Sequence, residues 1–282
     1  MESMRLSLSS FIYLNYPLSE AIRRTAAAGF AGIDIWGGRP HAYRKDLSDT
    51  ETAELRRVIQ GEGLAVASFI PAQFRYPTSL CSPIDTIRQD SVCYIRDSIE
   101  TAAALGAPVV SVCPGHTLYG QTVEDGTGRL SDSLAAITEF ARPYHMRVAI
   151  EPADKYETDL LPTCTDALHL ANKLGCENLG VLLDTGHTLV VGELADEAAK
   201  ALGDKLFHVH IDDNNGVQDQ HLVPGEGVFD FTRFMVALRE VEYHGFLGAE
   251  LGWEYTIEPD PPARLTVERM NDSQRRVQAF SD

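Results

Sequence analysis

Short apolar runs alternate with longer amphipathic stretches down the whole chain. The runs "RLSLSSF" (5–11), "AGIDIWG" (31–37), "LAVASFI" (64–70), "APVVSVC" (107–113), "RVAIEP" (147–152), "NLGVLLD" (178–184), "KLFHVHI" (205–211) and "GFLGAEL" (245–251) read as strands. Helical periodicity fills the gaps, over 17–29, 48–63, 83–106, 130–145, 163–175, 192–203, 230–245 and 261–280. Ser, Thr, Asp or Pro stands near several of the starts, and a glycine such as Gly29 or Gly106 marks several of the stops.

Eight strands and eight helices in strict alternation predict parallel strands joined by right-handed helical crossovers. That count in this length is the count of a (β/α)8 barrel, a single TIM-barrel domain over 1–282. A doubly wound open sheet would carry a glycine-rich phosphate loop after its first strand. Here that strand runs into "IYLNYPLS", which has none. No linker, composition shift or low-complexity stretch marks a boundary.

Active groups of such barrels come from the C-terminal ends of the strands. Strand five ends in Glu151. Strand six ends in Asp184, with His187 three residues on. Strand seven ends in His210 and strand eight in Glu250. Period-two alternation puts Ala149 with Glu151, Leu182 with Asp184, His208 with His210, and Gly248 with Glu250 on the interior face. Val148 and Ile150, and likewise Phe207, Val209 and Ile211, then face the helices. Four converging carboxylate and imidazole groups would repel one another without a cation. A mostly oxygen donor set predicts one divalent metal ion, Mn²⁺ first, with Mg²⁺, Co²⁺ or Zn²⁺ as alternatives. His208 lies one layer deeper. His187 can be a ligand, a substrate contact or a helix-entry residue, of which a substrate contact is expected.

Composition narrows the class without naming it. The 282 residues are 44% hydrophobic and 23% charged, ordinary for a globular protein. A formal charge of −17 argues against nucleic acid and against an anionic membrane as partners, and leaves a small molecule. The five cysteines are scattered with no C-x-x-C pair, as in a reducing compartment. No signal pattern opens the sequence, and no run approaches the roughly 18 apolar residues of a membrane span, so a cytoplasmic location is expected.

The blocks "AIEP", "LLDTGH", "FHVHIDD", "HLVPGEG" and "GAE" together resemble the xylose isomerase-like TIM-barrel superfamily, which holds sugar isomerases and epimerases and also endonuclease IV. "GIDIWGGRPHAY" is similar to the second-strand segment of ketose 3-epimerases of the fructoselysine type. The resemblance covers essentially the whole barrel. It implies a metal-dependent sugar isomerase or epimerase. Within that class it implies a ketose 3-epimerase working through a cis-enediolate, with Glu151 and Glu250 as acid and base. Glu151, Asp184, His210 and Glu250 would hold the metal. His187, Glu157, His221, Trp36, His116 and Trp253 would contact a small sugar substrate, in a homodimer or homotetramer.

Two departures stand out. Relatives acting on abasic DNA use extra histidines at the ends of strands three and four, where this chain has "FIPAQF" and Cys113-Pro114-Gly115. The Asp219-Gln220-His221 triplet does match their third-metal pair, yet a full trinuclear site is broken. Many epimerases of free ketoses carry an arginine where His221 stands. Arg39 and His41 would bind a polar substrate tail or lie exposed, and Cys113 is a buried small hydrophobe rather than a nucleophile. The competing readings are a dehydratase of an inosose or dehydroshikimate type, an aldose–ketose isomerase, and a catalytically silent sugar-binding barrel. A DNA-repair nuclease is the least favoured.

Overall fold

The computed structural model describes residues 3–73 and 78–279. Among these, eight parallel strands close into a barrel in sequence order: β1 (Arg5–Ser9), β2 (Gly32–Trp36), β3 (Ala65–Ile70), β4 (Val109–Val112), β5 (Arg147–Ile150), β6 (Leu179–Asp184), β7 (Leu206–Ile211) and β8 (Phe246–Ala249). The helices around it are α1 (Leu18–Ala27), α2 (Asp49–Gly61), α3 (Asp85–Leu105), α4 (Val123–Ala141), α5 (Cys164–Leu174), α6 (Thr185–Val191), α7 (Ala195–Leu202), α8 (Phe231–Glu240) and α9 (Asp260–Ala279). The expected (β/α)8 architecture is the one observed. The last residue of the final expected helix, Phe280, lies outside the described residues. None of the described helices is long and apolar enough to cross a membrane.

Local chemistry explains where these helices begin and stop. Ser48 and Glu51 form a reciprocal capping box at the start of α2. Thr122, Thr163 and Asp230 cap α4, α5 and α8 through their side-chain oxygens. Gly106 ends α3 in the left-handed conformation that a residue with a Cβ resists.

Two elements differ from expectation. Helix α4 begins at Val123, not near Leu130, although Gly126 and Gly128 weaken its first turns. Gly126 is there for contact: a Cβ would stand 2.8 Å from Thr117 Cγ2 and 2.9 Å from Leu160 Cδ2. The short α6 was not expected at all, and Asp184, the last residue of β6, is its N-cap.

Most apolar side chains fill the layer between sheet and helices. Val209, Ile211 and Leu247 meet Ile22, Ile95, Leu134 and Leu238 there, each essentially inaccessible. Full burial of one such side chain contributes roughly 1.5–3 kcal/mol. Phe207 departs from its expected place in this layer. It packs with Val109, Ala149 and Leu182 in a separate cluster. The cause is a register slip between Val181 and Leu182, where β6 pairs Leu206 and then His208, so that Phe207 is passed over.

The loop after β7 is pinned back onto the barrel. Asp213 and Leu222 exchange backbone hydrogen bonds of 2.9 and 2.8 Å. The buried Asp213 carboxylate also accepts from the backbone N–H groups of Asn214 (2.9 Å), Gly225 (2.9 Å) and Phe229 (3.0 Å). Gly227 leaves room for this, since any Cβ would strike Asn214 and the Asp213 carboxylate. Replacing Asp213 by alanine strips three inward-facing donors of their acceptor. We expect Asp213→Ala to lower stability by about 2–4 kcal/mol in chemical denaturation and to speed amide exchange at Gly225 and Phe229. Unchanged exchange at both amides would contradict this role.

Candidate functional site

Consecutive strand ends bring the four expected ligands together. Asp184 pairs in register with His210, and His210 with Gly248, two residues before Glu250. Glu151 and Glu250 lie one residue past β5 and β8, but the ladder still holds them: Glu151 N donates to Val112 O (3.0 Å) and Glu250 N to Ile211 O (3.2 Å). His210 Nδ1 stands 2.8 Å from Glu151 Oε1, 3.1 Å from Glu250 Oε2 and 3.9 Å from Asp184 Oδ2. One ligand atom from each of the four residues lies within 4.8 Å of the others. Asp184 is nearly inaccessible, with Oδ1 accepting from His187 N at 2.9 Å and Oδ2 without any hydrogen-bond partner.

The electrostatics follow from that crowding. Burial pushes the Asp184 carboxyl well above the usual carboxylate range, and the Asp212 charge adds to it. Burial also works against a charged His210, but Glu250 and Glu151 outweigh it and hold the imidazole well above the ordinary histidine value. Burial likewise opposes ionisation of Glu250, and the facing His210 outweighs it and brings the group below its ordinary value. Both shifts favour the protonated forms of Asp184 and His210, and the Asp184 oxygen without a partner belongs to the same cluster. Oxygen-rich donors and one imidazole fit a divalent ion of the Mn²⁺ or Mg²⁺ kind.

A second charged group borders the first. Asp212 Oδ2 lies 2.6 Å from His221 Nδ1, and Asp219 Oδ2 lies 2.9 Å from His221 Nε2 and 3.3 Å from His187 Nδ1. Gly186 permits it, because a Cβ there would meet Asp219 Oδ1 at 2.7 Å and collide with Asp212. Burial lowers the affinity of His187 for a proton, but Asp184, Asp219 and Glu157 raise it to about 9. Asp212 was not among the expected residues, although it directly follows the "HVHI" strand.

The remaining expected contacts divide. Glu157, His187, His221 and Trp36 line a narrow cavity with Glu151, Glu250 and Cys113. It shares Trp36, Glu157, His221 and Glu250 with a wider cleft of about 390 Å³ that Phe11, Tyr156 and Trp253 also line. Trp36 and Trp253 both set their rings edge-on to Phe11, at 5.1 and 4.7 Å. His116 is not among the residues lining these two cavities. Its Nδ1 turns instead to the carbonyl of Thr117 (2.9 Å) and to Asp159 (3.4 Å), so the structure does not bring it together with the other expected substrate contacts. His41 is neither exposed nor in the cleft: it is buried against Ser10 and the carbonyls of Tyr13 and Tyr16. Arg39 is paired with Asp46. Burial pushes the Cys113 thiol up, which disfavours the thiolate a nucleophile would need.

A closed parallel barrel with acidic and imidazole groups at its strand ends is the general form of a TIM-barrel enzyme site. The chain belongs to the xylose isomerase-like TIM barrel family, whose family model matches residues 22–273. It is 29% identical over 253 residues to fructoselysine 3-epimerase of Shigella flexneri, covering 90% of this chain and 92% of that protein. It is 23% identical to D-psicose 3-epimerase of Agrobacterium fabrum, covering 92% and 91%. Among solved structures it resembles a D-tagatose 3-epimerase-like protein, with a TM-score of 0.86 at 24% identity over 99% of this chain and all of the other. The relatives and the solved structure named here are 3-epimerases or 3-epimerase-like proteins, similar to this chain at moderate identity.

Metal binding at this cluster must displace protons, because the imidazole and carboxyls have to be deprotonated to act as ligands. The raised value of His210 fixes the sign: affinity for Mn²⁺ falls as pH drops below that value and rises towards it. Calorimetry of chelator-stripped protein in buffers of different ionisation enthalpy should show at least about one proton released per ion. Asp184→Asn should weaken binding by on the order of 100-fold or more. Proton-neutral binding, or full affinity in the variant, would place the ion elsewhere.

Proposed function

We propose that this protein is a divalent-metal-dependent ketose 3-epimerase, with Mn²⁺ as its first-choice ion. The observation that carries the reading is the placement of Glu151 and Glu250. They come from β5 and β8 and reach His210 Nδ1 from separate strands, 2.8 and 3.1 Å away. A binding protein has no need of two such bases about one point. Epimerisation at a carbon beside a carbonyl needs just that pair, one group to take the proton and another to return it on the opposite face.

Glu151, Asp184, His210 and Glu250 would hold the ion, which when bound supplies Lewis-acid stabilisation of the negative charge of a cis-enediolate. One glutamate removes the C3 proton of the ketose and the other delivers a proton to the opposite face. His187, on the cavity wall beside them, donates to a substrate oxygen, and His221, held by Asp212 and Asp219, shapes the wall next to it. Glu157 is pushed above the ordinary carboxylate range by burial and takes a sugar hydroxyl as hydrogen-bond partner. Trp36 and Trp253 offer apolar walls against the carbon face of the sugar. The names of the two sequence relatives make fructoselysine and D-psicose the first substrates to offer.

Incubation of the Mn²⁺-loaded protein with each ketose in D₂O should return C3 epimers carrying deuterium at C3. Glu151→Gln and Glu250→Gln should each slow that exchange by about 10²–10⁴-fold while the fold survives. An unsaturated product would mean a dehydratase, and deuterium at C1 or C2 an aldose–ketose isomerase. Full exchange in both variants would remove the two glutamates from the chemistry.

A further inference from the structure

Below the four strand-end groups the barrel holds a second polar layer that the proposed reaction does not use. Asp34 stands in the middle of β2, a strand buried at every position. It pairs in register with Ser68 on β3, and Ser68 Oγ donates to Asp34 Oδ1 at 2.6 Å. The same oxygen lies 2.8 Å from His208 Nε2 on β7. All three residues are at most 2% exposed. A carboxylate so fully removed from water needs a purpose or a partner.

Its partners are incomplete. Asp34 Oδ2, His208 Nε2 and His210 Nε2 are all buried without a hydrogen-bond partner; His208 Nε2 is close to Asp34 Oδ1 but not in hydrogen-bonding line with it. Yet one ligand atom from each of Asp34, His208 and His210 lies within 4.8 Å of the others. The two imidazoles stand edge-on, with centroids 5.2 Å apart and planes at 88°. Gly248 makes the space, since a Cβ there would come within 2.7 Å of Asp34 Oδ2 and 3.0 Å of His208 Nε2. The other nitrogen of His210, Nδ1, already faces Glu151 and Glu250 above. A metal-ligating imidazole is oriented by what its second nitrogen bonds to.

We infer that Asp34 is a positioning residue, anchored by the Ser68 hydroxyl and packed against His208. Its free oxygen takes the Nε2–H of His210, directly or through one bridging water, and so presents Nδ1 to the cation. Ser68 fixes the carboxylate, the carboxylate fixes the tautomer and tilt of His210, and β2 thereby controls a ligand on β7. The inference rests on reading the strand-end cluster as a metal centre.

The test is a Mn²⁺ titration of chelator-stripped protein by calorimetry at one pH, for wild type, Asp34→Asn and Ser68→Ala. Asp34→Asn should bind about 10–100-fold more weakly and Ser68→Ala several-fold more weakly. In ¹⁵N-histidine spectra of the Zn²⁺-loaded protein, the Nε2–H signal of His210 should move in Asp34→Asn, which a merely space-filling role would not produce. Wild-type affinity and an unmoved signal in folded Asp34→Asn would overturn the inference. If that variant does not fold, wild-type affinity in Ser68→Ala overturns it. Failure of the wild type itself to bind Mn²⁺ would instead remove the metal centre on which the inference stands.

Discussion

Three carboxylates cannot share the mouth of a barrel with one imidazole unless positive charge holds them there. That requirement organises the upper half of this structure. Glu151, Asp184 and Glu250 all approach His210 Nδ1, at 2.8, 3.9 and 3.1 Å. With protons alone, Asp184 and His210 must both sit far from their ordinary ionisation, and Asp184 Oδ2 is left bare. Burial makes this costly, because desolvation is the largest influence on each of these groups. A divalent ion would satisfy all four donors at once.

The fold meets that requirement with strands rather than loops. Glu151, Asp184 and Glu250 are each the last residue of a strand or the first beyond one, and His210 is the last but one of β7, so the parallel ladder sets their height. Side-chain alternation then aims them inward. The layer beneath is polar too, with Ser7, Asp34, Ser68 and His208 buried in the barrel. Gly248 is the small residue that lets this layer close up under the ligands. Most of the apolar material that stabilises the barrel lies outside it, between sheet and helices, with the smaller cluster of Val109, Ala149, Leu182 and Phe207 apart from it.

Much of this was legible in the sequence, for a physical reason. Parallel strands buried on both faces are short apolar runs, and a titratable residue at the end of such a run stands out. Glu151, Asp184, His210 and Glu250 were found that way. Asp34 was not, since it sits in mid-strand between Ile33 and Ile35, and nothing local shows which of its neighbours are Ser68 and His208. Its signal was there all the same: a lone carboxylate in an otherwise apolar strand has to be partnered. Phe207 was misplaced because alternation assumes a steady register, and the slip at Val181 and Leu182 is a property of two strands together. The early start of α4 and the existence of α6 were hidden for a related reason. Gly126 is set by its contact with Leu160, and Asp184 serves as both ligand and helix cap, so a single strand-end letter concealed a helix start.

The division between strand and loop bears on what can vary in such a barrel. The ligands and their support are fixed to β5 to β8 and β2, where a small shift would disturb the whole ladder. Trp36, Glu157, His221 and Trp253 stand at or beyond the strand ends, on the wall of the wider cleft. His221 is held in a left-handed backbone conformation (φ 47°), and its carbonyl accepts from Gly252 N at 2.9 Å, so even this loop residue is set by the β8 end. Its imidazole is clamped between Asp212 and Asp219 and has little freedom to follow a substrate. Glu157, by contrast, has its carboxylate destabilised by burial and lies where three cavities meet. On the proposed reading, the strand-end groups define the proton transfer and Glu157, more than His221, is the group whose hydrogen bonds remain to be completed by the sugar. The choice of ketose then belongs to the cleft, while the chemistry belongs to the barrel.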